Sequence, residues 1–132
     1  MGQHARRQRG RDDQGSFSLE AMVVVPAVLL LILLVVHAAL WWHARNVALA
    51  AAQQGVESAR VRGATLSDGT AAAQAFATRA GGTMTGIRVT GSRGAQVRID
   101  VAGSVPTVFP GLTLHVDQHA EGAAERLTQA PP

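Results

Sequence analysis

Two pairs of ionisable residues near the C-terminus have a spacing that metal sites on helices use. His115 and His119 are four residues apart, and so are Glu121 and Glu125. On a helix each pair would share one face and could ligate a metal ion. His115 lies instead in a segment where apolar and polar residues alternate, and four residues of a strand span roughly 13 Å. The pattern argues against a metal site, and we expect no metal and no other cofactor.

Enzymatic chemistry has little support in the rest of the chain. The few serines stand in no nucleophile motif, and no glycine-rich loop follows a strand and opens a helix. His37 lies within an apolar run, where an ionisable group is a functional candidate by default. It is close to the end of that run, however, where a neutral ring at a membrane interface is an adequate alternative. The sequence thus predicts a protein that is not an enzyme.

The junction between a basic leader and the apolar run has a more specific pattern. Gly15 and Ser16 are followed by Glu20, the fifth residue counted from Ser16, and then by the apolar run. A glycine before a peptide bond leaves room for a protease, and this order of residues resembles a type IV prepilin processing site. In pilin-like filaments a glutamate at this place is thought to pair with the N-terminal amine of a neighbouring subunit. The alternative is that Glu20 only complements the positive end of the helix dipole.

The apolar run has the length of a membrane span. From Ala21 to Trp42 there are 22 residues without a formal charge, which at about 1.5 Å per residue cross a hydrocarbon core of roughly 30 Å. Arginines cluster in residues 1–15, and the positive-inside rule places that end in the cytoplasm. Trp41 and Trp42 close the far end, where indoles favour the headgroup level. The sequence therefore predicts a single-pass membrane protein with its C-terminal part outside the cytoplasm.

Charge and composition restrict the partners of that C-terminal part. All 12 basic residues are arginine; residues 1–15 have a net charge of +2, and the rest of the chain, with 8 arginines against 7 acids, is near neutral. A nucleic-acid interface needs a basic stripe on a folded face, so we expect no nucleic-acid binding. The absence of cysteine excludes disulfides and thiolate metal sites.

Periodicity predicts an α+β fold. The first helix is expected to continue from the span to residue 62, and small residues share one face of its second part: Ala44, Ala48, Ala51, Gly55 and Ala59. Such a stripe lets a second helix approach closely; the alternative is an alanine-rich helix with no special partner. A second, short helix is expected to have Ser67 as its N-cap, to end at Ala80, and to bury a stripe of Ala72, Ala75 and Phe76.

After the second predicted helix, the period of the hydrophobic pattern changes to two residues. Apolar residues alternate with polar ones around 87–89, 97–101 and 112–116, with a turn at 91–94, which predicts a small antiparallel sheet of about three strands packed on the helix. We therefore expect four parts, which are a basic cytoplasmic leader (1–15), the span with its helical extension (16–62), an extracytoplasmic α+β domain (63–119) and a flexible tail (120–132).

The segment from Gly15 to Arg62 resembles the TadE family of pilin-like proteins of the tight-adherence, Flp-type pilus system. The residues that carry the resemblance are Glu20, Pro26, Ala50, Ala51, Ala52, Gly55, Ala59 and Arg60. The stretch 109–114 is also similar to one that precedes the last strand of such proteins. The resemblance implies a non-enzymatic minor pilin or pseudopilin of the bacterial cell membrane, in which Glu20 and Pro26 contribute to subunit assembly.

The resemblance also implies partners. They are membrane lipid, other pilin-like subunits that associate through the alanine-rich helix, pilus assembly platform proteins and a prepilin peptidase. Sites of this family often have tyrosine after the glutamate, where this chain has Ala21. Cleavage after Gly15 and retention as an uncleaved anchor therefore both stay open.

Two other functions also stay open from the sequence. Val36-His37-Ala38 fits a signal peptidase site, which would release a secreted binding module that starts near Ala39. The chain could also be a membrane-anchored accessory of another secretion complex. The mature N-terminus separates these fates, since it is Ser16 after prepilin processing, Ala39 in a secreted product, and Met1 or Gly2 in an uncleaved anchor.

Overall fold

The structure is a computed structural model that describes residues 9–124, with side chains from residue 18 onward. It has the α+β fold that the sequence predicts, with a long helix, a short helix and a three-stranded antiparallel sheet. The elements are α1 (Arg9–Arg60), α2 (Leu66–Ala80), β1 (Thr85–Arg93), β2 (Gln96–Pro106) and β3 (Thr113–Ala123). The chain divides into two compact units, Met1–His37 and Ala38–Pro132, and the second is called the body below.

Helix α1 is 52 residues long and continues through Pro26. A proline has no N–H to donate to the carbonyl four residues earlier, a loss that apolar helices in membranes tolerate. The helix ends at Arg60, two residues before the expected limit. Gly63 follows with a φ of +82°, a left-handed conformation that glycine adopts without steric strain.

Helix α2 has Thr65 as its N-cap, so the prediction that Ser67 is the N-cap is wrong. The Thr65 hydroxyl accepts a hydrogen bond from the backbone N–H of Asp68 at 3.2 Å, and the Asp68 carboxylate accepts one from the backbone N–H of Thr65 at 2.7 Å. This reciprocal capping box gives partners to two N–H groups that the helix itself leaves unbonded. Thr65 has an acid three residues later, whereas Ser67 has Thr70.

The buried face of α2 also differs from the expected stripe. Gly69, Ala73 and Ala77 are buried, whereas Ala75 is exposed, and Ala72 and Phe76 are half-buried. The three buried residues are spaced by four, so they share one face of the helix. They are small because this face lies close to α1.

The sheet has the order β1-β2-β3, with both pairs antiparallel. The central strand alternates between a buried inner face and a half-buried outer face, as predicted, with Val97, Ile99, Val101 and Val105 fully buried. The β1–β2 hairpin turns at residues 94–95, later than the predicted 91–94, because residues 91–93 pair with 97–99.

The last strand corrects the expected boundary between domain and tail at residue 119. Strand β3 continues to Ala123, and Ala120 and Gly122 pair with Ile99 and Val97 of β2. Residues 120–123 are therefore part of the sheet, while 125–132 lie outside the described residues. The inner face of this half of β3 consists of Gln118, Ala120 and Gly122, which lack the large apolar side chains that mark a strand in sequence.

One core joins the helices and the sheet within the body. The inner face of the sheet packs with the second part of α1 and with α2 in a single cluster of buried residues. Each fully buried valine or isoleucine in that cluster contributes about 2 kcal/mol of hydrophobic stabilisation. The core fixes the second part of α1 to the sheet and so positions the residues discussed next.

Candidate membrane anchor and assembly site

The apolar segment of α1 that precedes the body presents large side chains that are mostly exposed. By length and composition, α1 from Ser18 to Arg60 can cross a membrane, and its most apolar stretch has none of its residues buried. Leu29, Leu30 and Leu31, for example, are 55 to 61% exposed. Such a surface in water would be strongly unfavourable. An N-terminal apolar helix of this kind suggests a single-pass membrane anchor.

The residues expected at the inner end of the span all lie within this one helix. Gly15 and Ser16 are inside α1, and Glu20 and Pro26 are both exposed. Glu20 is thus accessible to a second molecule, and Pro26 lies six residues further along the helix. Their proposed roles in processing and assembly stay predictions.

His37 has a local hydrogen bond that explains how the ring is accommodated in an apolar segment. Its Nδ1 lies 2.7 Å from the carbonyl oxygen of Leu33, one helical turn earlier. Because a carbonyl only accepts, Nδ1 is the donor. This local bond within α1 is compatible with the interfacial interpretation of His37.

The stripe of small residues on α1 is buried inside the body. Four of its members are at most 1% exposed, Gly55 is also buried, and the set is Ala44, Ala48, Ala51, Gly55 and Ala59. A Cβ added to Gly55 would lie 2.8 Å from the carbonyl oxygen of Gly69 and 2.9 Å from Cβ of Ala73. A Cβ added to Gly69 would lie 2.6 Å from Cβ of Ala59.

Two residues of the stripe, Gly55 and Ala59, therefore lie against Gly69 and Ala73 of α2 in the same chain. The side chains of the stripe are thus covered within the body, and the expected association of other subunits through the alanine-rich helix stays a prediction. Two short patterns in the sequence point to this pairing, Gly55-x-x-x-Ala59 in α1 and Gly69-x-x-x-Ala73 in α2. Small residues four apart on both helices allow their backbones to approach. Gly55 and Ala59 belong to the predicted stripe of α1, whereas Gly69 and Ala73 were not in the stripe predicted for α2.

The tryptophan pair lies where the body begins. The Trp41 indole N–H donates a hydrogen bond to the carbonyl oxygen of His115 at 3.2 Å, which ties the start of β3 to α1. The Arg45 guanidinium lies 5.8 Å from the centre of the Trp41 ring, within reach of a cation–π interaction. Trp42 is 59% exposed.

The histidine and glutamate residues of β3 lie on the outer face of the sheet, beside an ion-pair network. Arg98 pairs with Asp100 at 2.7 Å and with Glu121 at 2.9 Å, and His119 is opposite Asp100 in the strand register. The hydrogen bonds from Arg98 lower the pKa of the Asp100 carboxyl, and the bonds to Asp100 raise the pKa of Arg98. Ser104 Oγ and His115 Nδ1 are 3.2 Å apart and share a hydrogen bond.

These contacts pair the polar side chains of the outer face with one another, as on many exposed sheet surfaces. Within the described part of the chain, no three His, Cys, Asp or Glu residues form a group suited to a metal ion. Glu125, the fourth residue of the two pairs, lies outside the described residues. The exposed ion pairs contribute little to stability because water screens the charges.

Comparison with known proteins identifies one region of the chain. Searches of curated proteins and of solved structures give no match. Residues 15–57 match the family described as TadE-like protein. The matched segment starts at the Gly15 junction, includes the exposed apolar helix with Glu20 and Pro26, and ends within the buried stripe. The resemblance to the TadE-like family that the sequence shows is thereby confirmed over residues 15–57.

Proposed function

We propose that this chain is a TadE-like minor pilin or pseudopilin, a non-enzymatic component of tight-adherence, Flp-type pilus assembly. The observation that carries the proposal is the division of the TadE-like segment into an exposed apolar half and a half buried in the body. The first half would hold the protein in the bacterial cell membrane, and the second presents the folded domain outside the cytoplasm. The family match favours a structural role over catalysis.

Glu20 is the residue that would act in assembly. It is exposed at the start of the apolar segment, and an unpaired charge within lipid costs roughly 2.5–3.5 kcal/mol. A positive group on a neighbouring subunit, such as an N-terminal amine, would remove that penalty and set the register between helices. The buried stripe is not available for this contact, so the contact between subunits is assigned to the exposed apolar half, with Pro26 on its surface.

Deletion and complementation in the source bacterium test the proposal. Deleting the gene abolishes surface pili, and the wild-type gene restores them. The variant Glu20→Gln stays in the membrane fraction at normal level but does not restore pili. Glu57→Gln is the matched control, because Glu57 is also an exposed acid on α1 but belongs to the body. Normal pili in the deletion strain would reject the proposal, and normal pili with Glu20→Gln would reject the role of Glu20.

Sequencing the mature N-terminus tests the proposed processing and topology. Ser16 identifies cleavage by a prepilin peptidase, and Met1 or Gly2 identifies an uncleaved anchor. A secreted module is the second candidate function, because the compact body begins at Ala38, beside the potential signal peptidase site. An N-terminus at Ala39 in the culture medium would replace the pilus proposal with that one.

A further inference from the structure

The turn between β2 and β3 carries a cluster of exposed apolar side chains. Val108, Phe109 and Leu112 are 62, 44 and 52% exposed, and they are three of the six large apolar residues exposed in the described body. The surrounding sequence has no formally charged residue from 101 to 116. The residues 107–112, called the apolar loop below, therefore offer a surface that water solvates poorly.

Internal hydrogen bonds hold the apolar loop in one conformation. The Thr107 hydroxyl lies 3.0 Å from the carbonyl oxygen of Phe109 and 2.7 Å from that of Leu112. The backbone N–H of Leu112 donates to the Phe109 carbonyl at 3.2 Å. Between them stand Pro110 and Gly111, and the φ of +83° at Gly111 fits a type II turn. The backbone of the apolar loop therefore has little conformational entropy left to lose on binding.

Two contacts place the apolar loop at the end of the body that contains Ala38–Trp42. The carbonyl of His115 binds Trp41, and Gly122 lies against Val56 and Arg60. Strand β3 therefore runs in the same direction as α1, and its start is beside the start of the body. The two residues from His115 back to Thr113 add roughly 7 Å in the direction of the N-terminal end of α1. The loop thus lies at or beyond the level of Ala38–Trp42.

The other hairpin of the sheet provides a contrast. The β1–β2 turn at residues 94–95 lies at the opposite end of the body, where Arg93 donates to the carbonyl oxygens of Ala59 and Ala64. Its neighbours are Ser92, Arg93 and Gln96, and none of the turn residues is a large apolar one. The two ends of one small sheet thus differ in polarity, and the apolar end is the one next to the tryptophan pair.

We propose that the apolar loop inserts Val108, Phe109 and Leu112 into the outer surface of the bilayer, as a second membrane contact of the body. The proposal rests on the membrane anchorage proposed above. A lipid surface is the favoured partner because the loop lacks charge and lies at the end of the body that contains Trp42, an interfacial type of side chain. The anchor also keeps the loop next to lipid at high effective concentration. The contact would fix the orientation of the body on the membrane.

Site-directed fluorescence on the full-length chain in lipid vesicles tests this proposal. The chain has no cysteine, so each variant carries one label. Phe109→Cys and Val108→Cys report on the apolar loop, Ala95→Cys on the opposite turn, and Val28→Cys on the span. An environment-sensitive dye is attached, and quenching is compared between vesicles with a quencher on the lipid acyl chains and vesicles with a water-soluble quencher.

We expect lipid quenching at both loop positions to be several-fold greater than at Ala95→Cys, with blue-shifted emission, and greatest at Val28→Cys. Loop labels that behave like Ala95→Cys while Val28→Cys is quenched would overturn the loop contact and leave the anchor intact. Absence of lipid quenching at Val28→Cys would instead reject the anchor itself. Loop labels shielded from both quenchers, with cross-linking of Phe109→Cys between chains, would identify a second copy as the occupant and also overturn the proposal.

Discussion

The two parts of α1 are both apolar, but they differ in the size of their side chains and in whether those side chains are exposed or buried. In the apolar segment the side chains are mostly leucine, valine and isoleucine, and almost all are exposed. In the body the same helix uses alanine and glycine, and Ala48, Ala51 and Ala52 are fully buried. Both parts would count as hydrophobic in a composition profile. The size of the side chains separates them.

The difference follows from what each part contacts. Large side chains around the whole circumference of a helix suit contact with lipid acyl chains, which accept them on every face. Small side chains bury little area but let a second backbone come within contact distance, as Gly55 and Gly69 do. Within one family-matched segment, the first part is therefore built for lipid and the second for protein.

The largest expected effect comes from placing charges in the lipid-facing part. The double variant Val28→Arg/Leu31→Arg introduces two charges into the apolar segment, at about 2.5–3.5 kcal/mol each on insertion scales. We expect loss of membrane retention, measured by alkaline extraction of membranes followed by immunoblotting.

The matched control places two arginines on the exposed side of the second part of α1. Leu49 is 36% exposed and Gln53 is also exposed, so Leu49→Arg/Gln53→Arg leaves retention unchanged. Equal retention of both double variants would show that the two parts of α1 do not differ in the way described.

A smaller but still large effect is expected at the contact between α1 and α2. A Cβ at Gly69 would lie 2.6 Å from the Gly55 carbonyl oxygen, a distance that real Cβ atoms do not adopt. We expect Gly69→Val to destabilise the body by about 3 kcal/mol through overpacking. Thermal unfolding of the full chain in detergent, followed by near-ultraviolet circular dichroism, measures this loss.

Ala75→Val on the same helix is the control for Gly69→Val. Ala75 is exposed, so its variant changes helix propensity by only a few tenths of a kcal/mol. Both variants keep normal membrane retention, since the anchor is not altered. If Gly69→Val unfolds no earlier than Ala75→Val, the close approach of the helices is wrong.

The parts of the fold that the sequence predicts are those with large periodic signals. The 22-residue uncharged run is too long for a strand and therefore indicates a helix. The period of two at Val97, Ile99 and Val101 indicates a strand with one buried face. Both were confirmed as a long helix and a central strand. The end of β3 was missed because a strand whose inward residues are glutamine, alanine and glycine has no hydrophobic period, and only pairing with β2 reveals it.

The candidate site could be located from sequence but its internal contacts could not. The family segment and its exposed apolar half were predicted, since both depend on local composition. The burial of the small-residue stripe depends on α2, which is brought there by the tertiary fold. The sequence therefore predicted that a second helix could approach the stripe, but it did not identify α2 as that helix. The same limitation affects the N-cap of α2. Thr65 and Ser67 are both suitable residue types, and only the structure shows that Thr65 is the cap.

The smallest expected effect concerns the N-cap of α2, and it tests whether the body can be destabilised without altering the anchor. Thr65→Ala removes the hydroxyl that binds the Asp68 N–H and is expected to reduce the stability of the body by about 1 kcal/mol. Ser67→Ala is the matched control, and it should be nearly neutral because Ser67 lies inside the first turn. Thermal unfolding in detergent compares the two variants. A larger loss with Ser67→Ala would restore the cap expected from sequence.

The pH dependence of the same cap gives an independent check. The hydrogen bond from the Thr65 N–H, and then that from its hydroxyl, lower the pKa of Asp68. A carboxyl with a lowered folded-state pKa stabilises the fold above its unfolded value of about 3.9, and that stabilisation is lost as the pH falls through the lower folded value. Asp68→Asn should therefore be less stable than the wild type near neutral pH, and the difference should shrink in acid.

Asp100 also has a lowered pKa, so the wild type itself loses stability over the same acid range. Each variant must therefore be compared with the wild type at the same pH, which cancels the contribution of Asp100. Glu57→Gln is the control, since Glu57 is an exposed acid outside the capping box. If the difference in stability between Asp68→Asn and the wild type stayed constant from neutral to acid pH, the Asp68 carboxylate would not stabilise the cap through its charge. If it grew in acid, the sign of the pKa shift would be wrong.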